Sequence, residues 1–142
     1  MTERILLVDD EAEFLEALSE RMRSRGMDVS TSGSAKEALQ RVEKGTFDAV
    51  VLDLQMPEMD GLAVLRILKE KDPKLQVILL TGHATVEKGV EAMKCGAMDL
   101  LEKPTDIETL TEKIKQASAQ HLLLVSKEAE DKIKDILVSK GW

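Results

Sequence analysis

The sequence predicts an α/β domain built on a five-stranded parallel sheet with helices on both faces. Three observations carry this. Short apolar runs alternate with segments of helical periodicity five times, and the connections are short, the pattern of right-handed strand-helix-strand crossovers. The run Ala49-Val50-Val51-Leu52 has no polar alternation, as expected of a strand covered on both faces. That run also stops at a carboxylate, Asp53, and the carboxyl edge of an open parallel sheet is where ligands bind.

The elements follow in order. Arg4 to Val8 is the first strand and ends in Asp9-Asp10-Glu11. Phe14, Leu15, Leu18 and Met22 then recur at three- and four-residue steps, predicting a helix that Gly26 stops. Met27 to Thr31 is the second strand. Ser34 and Glu37 form a capping box, Leu39 and Val42 face the core, and Gly45 ends the helix. Phe47 to Asp53 is the third strand. After the loop Leu54 to Asp60, Gly61 opens a helix with Leu62, Leu65 and Leu68 inward, broken at Asp72-Pro73. Gln76 to Leu80 is the fourth strand. Thr85 caps a helix whose apolar face includes Val86, Val90 and Met93, ended by Gly96. Met98 to Leu101 is the fifth strand, and Thr105 with Glu108 is a second capping box before a helix lined by Ile107, Leu110, Ile114 and Ala117. Helical spacing continues beyond residue 120, so we divide the chain into a domain at 1–120 and a helical extension at 121–142. The extension carries four lysines and four acids, and its expected apolar stripe is Leu124, Ile133 and Leu137.

The 142 residues suffice for one domain with a proper core. A formal net charge of -7 disfavours direct contact with nucleic acid or an anionic membrane, where phosphates reward clustered Lys and Arg. Only Phe14, Phe47 and Trp142 are aromatic, too few for a base-stacking platform. The single cysteine, Cys95, permits no intrachain disulfide and fits a reducing cytoplasm. No apolar run approaches the ~20 residues that span a bilayer, and the N-terminus lacks signal-peptide character. Cytoplasmic localisation is the expectation. Cys95 reads as a small buried helix residue near Gly96, Met56 and Met59 as loop packing, and His121 as a helix-surface residue.

The strand ends gather a constellation. Asp9 and Asp10 follow the first strand, Asp53 the third, Thr81 the fourth and Lys103 the fifth. Each alone reads equally well as a helix cap, a turn former or a solvated charge. Together, in a parallel sheet, they share one crevice. Three carboxylates there repel one another unless a cation intervenes, and hard oxygen ligands suit Mg²⁺. A carboxylate beside Mg²⁺, an ammonium and a hydroxyl is arranged to attack phosphorus and become an aspartyl phosphate.

These motifs, Asp9-Asp10, Asp53-Leu54-Gln55-Met56-Pro57-Glu58-Met59-Asp60-Gly61, Thr81-Gly82 and Lys103-Pro104, resemble those of response-regulator receiver domains of two-component signalling, over roughly residues 3–120. The loop stretch Met56-Pro57-Glu58-Met59-Asp60-Gly61 and Thr81-Gly82-His83-Ala84 look most like receivers of the nitrogen-regulation type. The resemblance implies a flavodoxin-like sheet of strand order 2-1-3-4-5. It implies Asp53 as phosphoacceptor, with Asp10, Asp53 and the Gln55 backbone carbonyl holding Mg²⁺ and Asp9 acting mainly through water. Lys103 would contact the phosphoryl group, Thr81 would swing to bind it, Gln55 and His83 would tune dephosphorylation, and Pro104 would be cis. Leu100 stands where the family usually has the switch aromatic, and Thr105 where Phe commonly follows Lys-Pro.

The implied partners are a sensor histidine kinase or phosphotransfer protein and a downstream protein target. A homodimer would use the face of the fourth helix, fifth strand and fifth helix, or the C-terminal helix. The alternative is a receiver portion of a larger regulator or hybrid kinase, acting as a phosphorelay intermediate. A phosphatase of the haloacid-dehalogenase type needs a second acid two residues after its nucleophile, where Gln55 stands. A flavin binder needs a first loop of amide and hydroxyl donors, where Asp9-Asp10-Glu11 repels phosphate. The chain is therefore expected to be a phosphoacceptor rather than a turnover enzyme.

Overall fold

The computed structural model describes residues 2–57 and 59–141, apart from the side chain of Met59. Strands β1 (Arg4–Val8), β2 (Asp28–Ser32), β3 (Ala49–Asp53), β4 (Gln76–Thr81) and β5 (Asp99–Glu102) form one sheet of order β2-β1-β3-β4-β5, every pair parallel. Helices α1 (Ala12–Arg23), α2 (Ala35–Lys44), α3 (Gly61–Lys71), α4 (Val86–Lys94) and α5 (Ile107–Ser139) connect and cover it. The strand limits fall within two residues of the expected ones. A two-stranded hairpin, Gln55–Met56 against Met59–Asp60, is an addition the periodicity does not announce.

Strand alternation splits the core into two layers. Ile5, Leu7, Ala49, Val51, Ile78 and Leu80 face α1 and α5, and Leu6, Val8, Val50, Leu52, Val77 and Leu79 face α2, α3 and α4. α1 buries Leu15, Leu18 and Met22 at the spacing of one helix face. Gly26 then adopts φ 89°, a conformation open to glycine, and turns the chain into β2. At Gly61 the constraint is space: a Cβ there would lie 2.6 Å from the Leu54 Cα and carbonyl oxygen. The Gly61 N–H donates to that carbonyl, closing the loop that follows β3 (3.1 Å).

Several local expectations need correction. Ser34 accepts the Glu37 N–H, but the Glu37 carboxylate turns to Arg41, so the box closes on one side. α5 is capped by Asp106, whose carboxylate accepts the Glu108 N–H, one residue after the expected Thr105. The Val86, Val90 and Met93 stripe of α4 faces solvent, Val86 being 84% exposed, and α4 rests on the small Ala92 instead. Cys95 is half-buried against the core rather than enclosed. Met56 is buried as expected. The expectation for Met59, like Glu58 of the loop motif, lies outside the described residues.

α5 runs unbroken past residue 120. Its inward positions Ile107, Leu110, Ile114, Ala117 and His121 are buried. His121 is therefore not a surface residue: its Nδ1 lies 3.1 Å from Asp48 Oδ1 at the amino end of β3. Beyond it every described residue is exposed except the half-buried Leu124. Leu124 and Ile133 are nine residues apart and lie on opposite sides of the helix at ~100° per residue. The exposed apolar stripe is instead Leu122, Val125, Ile133, Ile136 and Leu137. The extension touches the domain where Lys74 Nζ meets Glu128 Oε2 at 2.7 Å.

Candidate functional site

The carboxyl edge of the sheet brings the four strand-end positions together. Asp9 follows β1, and its backbone N–H donates to Ser32 of β2 (3.2 Å). Its side chain is 1% exposed and works in two directions. Oδ1 accepts the Glu11 N–H (2.9 Å), fixing the turn into α1, and Oδ2 binds Lys103 Nζ (2.6 Å). Asp53 is the last residue of β3 and 4% exposed, with Oδ1 accepting the Gln55 N–H (3.2 Å). Lys103 is set by its own N–H donating to the Thr81 carbonyl (2.7 Å), beyond the last β4–β5 pair. Its ammonium then lies 3.7 Å from Asp53 Oδ1 and 3.8 Å from Glu11 Oε1. The Lys103–Pro104 bond is cis.

Asp10 is exposed and completes a group in which Asp9, Asp10 and Asp53 each offer an oxygen within 4.8 Å of the others. The electrostatics show what such crowding does. The Asp53 carboxyl is pushed up to about 6, chiefly by burial and further by the charges of Asp9 and Asp10, against the opposing Gln55 N–H and Lys103. Burial pulls the Lys103 ammonium down, but the hydrogen bond to Asp9 and the charges of Asp9, Asp53 and Glu11 outweigh it, leaving a net rise. One lysine among these carboxylates leaves negative charge uncompensated. A small hard cation with mostly water ligands fits that donor set.

The other expected site residues take different places. The Thr81 hydroxyl is fully buried and engages His83 backbone, accepting its N–H at 3.3 Å. Gln55 is exposed, and its Oε1 reaches to within 3.9 Å of where a Gly82 Cβ would be, so it overhangs the β4–α4 loop. His83 is exposed, and its carbonyl accepts Lys88 Nζ (2.8 Å). Leu100 is half-buried and packs on the core layer beneath α4.

Three contributors were not picked out as site residues. Glu11 stands at the rim near Lys103. Phe14 places its ring 4.3 Å from Lys103 Nζ. Glu102 accepts the Ala84 N–H (2.7 Å), tying the β4–α4 loop to β5. Phe14 was legible only as a core residue of α1. Its position in the first turn of the helix that follows Asp9-Asp10-Glu11 is the signal that places it at the crevice.

The model of the response regulator receiver domain family matches residues 5–115. The transcriptional regulatory protein ZraR of Escherichia coli (strain K12) is 38% identical over 115 residues, covering 81% of this chain and 26% of that protein. The chain thus spans about a quarter of that curated relative. Among solved structures, the beryllofluoride-activated NtrC4 receiver domain dimer is 36% identical with a TM-score of 0.79, covering 83% of this chain and 98% of that one. The TrrA response regulator of Thermotoga maritima, solved with Mg²⁺ and beryllofluoride, is 31% identical with a TM-score of 0.74, covering 82% and 99%. The NtrC4 likeness agrees with the nitrogen-regulation character of the two loops.

Proposed function

The chain belongs to the response regulator receiver domain family of two-component systems, and on that premise we propose that Asp53 accepts a phosphoryl group from the phosphohistidine of a sensor histidine kinase or phosphotransfer protein. An Asp53 carboxylate oxygen attacks phosphorus, the O–P bond forms, and the N–P bond breaks with its electron pair returning to the donor imidazole. The observation that carries the reading is the placement of Asp53, buried at the end of β3, 3.7 Å from Lys103 Nζ and clustered with two further carboxylates.

Asp10, Asp53 and the Gln55 backbone carbonyl would hold Mg²⁺, with Asp9 acting through water. Bound there, the ion supplies positive charge against the incoming phosphoryl oxygens. Lys103 supplies a second positive charge, and Thr81 turns its hydroxyl from His83 toward the phosphoryl group. Gln55 and His83, at the rim, govern how fast water removes it. The modified state then biases a two-state equilibrium at the α4–β5–α5 face, with Thr81 and Leu100 on the neighbouring strands β4 and β5. Output runs by protein contact through the α4–β5–α5 face, where Val86, Val90 and Met93 are exposed. Self-association uses that face or the apolar stripe of the extension. Residues 1–120 form the receiver proper, in a cytoplasmic setting, with 121–142 as its helical extension. No described helix is long and apolar enough to cross a membrane.

Incubation with acetyl phosphate and Mg²⁺ tests the central step. Wild-type protein gains one hydroxylamine-labile phosphoryl group, and Asp53→Asn gains none. Equal labelling of the two overturns the assignment.

A further inference from the structure

The described chain has two aromatic rings, and they sit at opposite ends of the sheet. Phe47 lies beside Arg4 at the amino edge, and Phe14 lies at the crevice over Lys103. We infer that Phe14 is a positioning residue, whose ring keeps the Lys103 ammonium in the crevice while it changes partners from Asp9 to the phosphoryl group on Asp53. The inference rests on Asp53 being the acceptor.

The distances set the problem. The ammonium is 2.6 Å from Asp9 Oδ2 and 3.7 Å from Asp53 Oδ1, so its nearest partner is not the acceptor. To meet a phosphoryl group it must loosen a charge-assisted bond. A lysine stem is flexible and its ammonium strongly hydrated, so release from Asp9 leads to water as readily as to phosphate. Exposed Glu11, 3.8 Å away, offers a further outward stop.

The ring opposes that escape. At 4.3 Å from the centroid, the ammonium is within range of attraction to the aromatic face. That attraction has no single hydrogen-bond vector, so a small shift from Asp9 toward Asp53 keeps it. Phe14 is itself anchored: it is half-buried and packs on the layer formed by α1 and α5. Asp9 sets both halves of the device, binding the ammonium through one oxygen and fixing the start of the Phe14 helix through the other.

Three variants of the full chain, Phe14→Leu, Phe14→Tyr and Lys103→Met, test this by two readouts. In metal-free protein, the Lys103 ε-methylene protons carry an upfield ring-current shift by NMR, lost in Phe14→Leu and kept in Phe14→Tyr. With acetyl phosphate and Mg²⁺, Phe14→Leu labels about 3- to 30-fold more slowly, the range of a cation–π contact, and Phe14→Tyr restores the rate. In the Lys103→Met background the Phe14→Leu change has no further effect. Thermal melts confirm that each variant is folded. Absence of the ring-current shift, labelling of Phe14→Leu at the wild-type rate, or an equal slowing in the Lys103→Met background overturns the inference. Failure of the wild type to label defeats the acceptor reading itself, a distinct outcome.

Discussion

Strand β3 is flanked by Asp48 just before its first residue and ends at Asp53, and the two aspartates have opposite surroundings. At the amino end Asp48 is half-buried with a donor on each oxygen: the Arg4 N–H at 2.8 Å on Oδ2 and His121 Nδ1 at 3.1 Å on Oδ1. At the carboxyl end Asp53 is buried with other carboxylates beside it, and its carboxyl is raised to about 6. The residue type is the same. What separates them is the balance of surroundings: donors satisfy both oxygens of Asp48, whereas around Asp53 burial and further carboxylates outweigh the Gln55 N–H and the Lys103 ammonium. Asp48 ties the amino edge of the sheet to α5, while Asp53 is left among uncompensated negative charge that a bound cation can offset.

The largest test of this contrast is Asp53→Asn in metal-free protein at neutral pH. Replacing a crowded buried carboxylate by its neutral isostere raises stability by about 2–3 kcal/mol in urea unfolding. Added Mg²⁺ narrows the gap, because an ion bound only by the folded wild type stabilises that state alone. A destabilised Asn variant would show that Lys103 already compensates Asp53.

The pH dependence gives the same contrast a second axis. The folded-state carboxyl, at about 6, binds its proton more tightly than the ordinary 3.8, so between those values the native state holds more protons than the unfolded one. Stability from this group therefore falls as pH rises through that window, and stays at its lower level above it. Unfolding of wild type and Asp53→Asn in metal-free buffer shows the two converging toward pH 4 and separating by pH 7. A gap that widens on acidification would contradict the raised value.

Much of the site was legible because it depends on topology. Once alternating strands and helices imply a parallel sheet, Asp9, Asp53, Thr81 and Lys103 must converge wherever their rotamers point. What could not be read depends on partners distant in sequence. Asp48 and His121 are 73 residues apart, and nothing local marks His121 as inward except its step of four from Ala117. The α4 stripe shows the converse limit. Period 3.6 reveals that Val86, Val90 and Met93 share a face, but not whether anything covers it, and Ala92 shows that a small residue can seat a helix instead. The hairpin at Gln55–Asp60 is too short for any period to register, and the Asp106 cap differs from the expected Thr105 by one residue because both can accept a first-turn N–H.

At the amino end the expected signs reverse. Asp48→Ala removes the acceptor of the Arg4 N–H and leaves buried His121 Nδ1 without its partner, lowering stability by about 1–2 kcal/mol, a change opposite to that of Asp53→Asn.

His121→Leu is the smallest perturbation. It preserves apolar packing along α5 and removes only the bond to Asp48. Because the Asp48 side chain is 25% exposed, water can replace the lost donor, so the loss is about 0.5–1 kcal/mol by urea titration. Acetyl phosphate labelling of Asp53 should stay at the wild-type rate, since the bond lies at the far end of the strand from the crevice. A larger loss of stability would mean that His121 anchors the root of the extension as well as Asp48. A change in labelling rate would mean that the two ends of β3 communicate, making the amino-edge aspartate part of the switch.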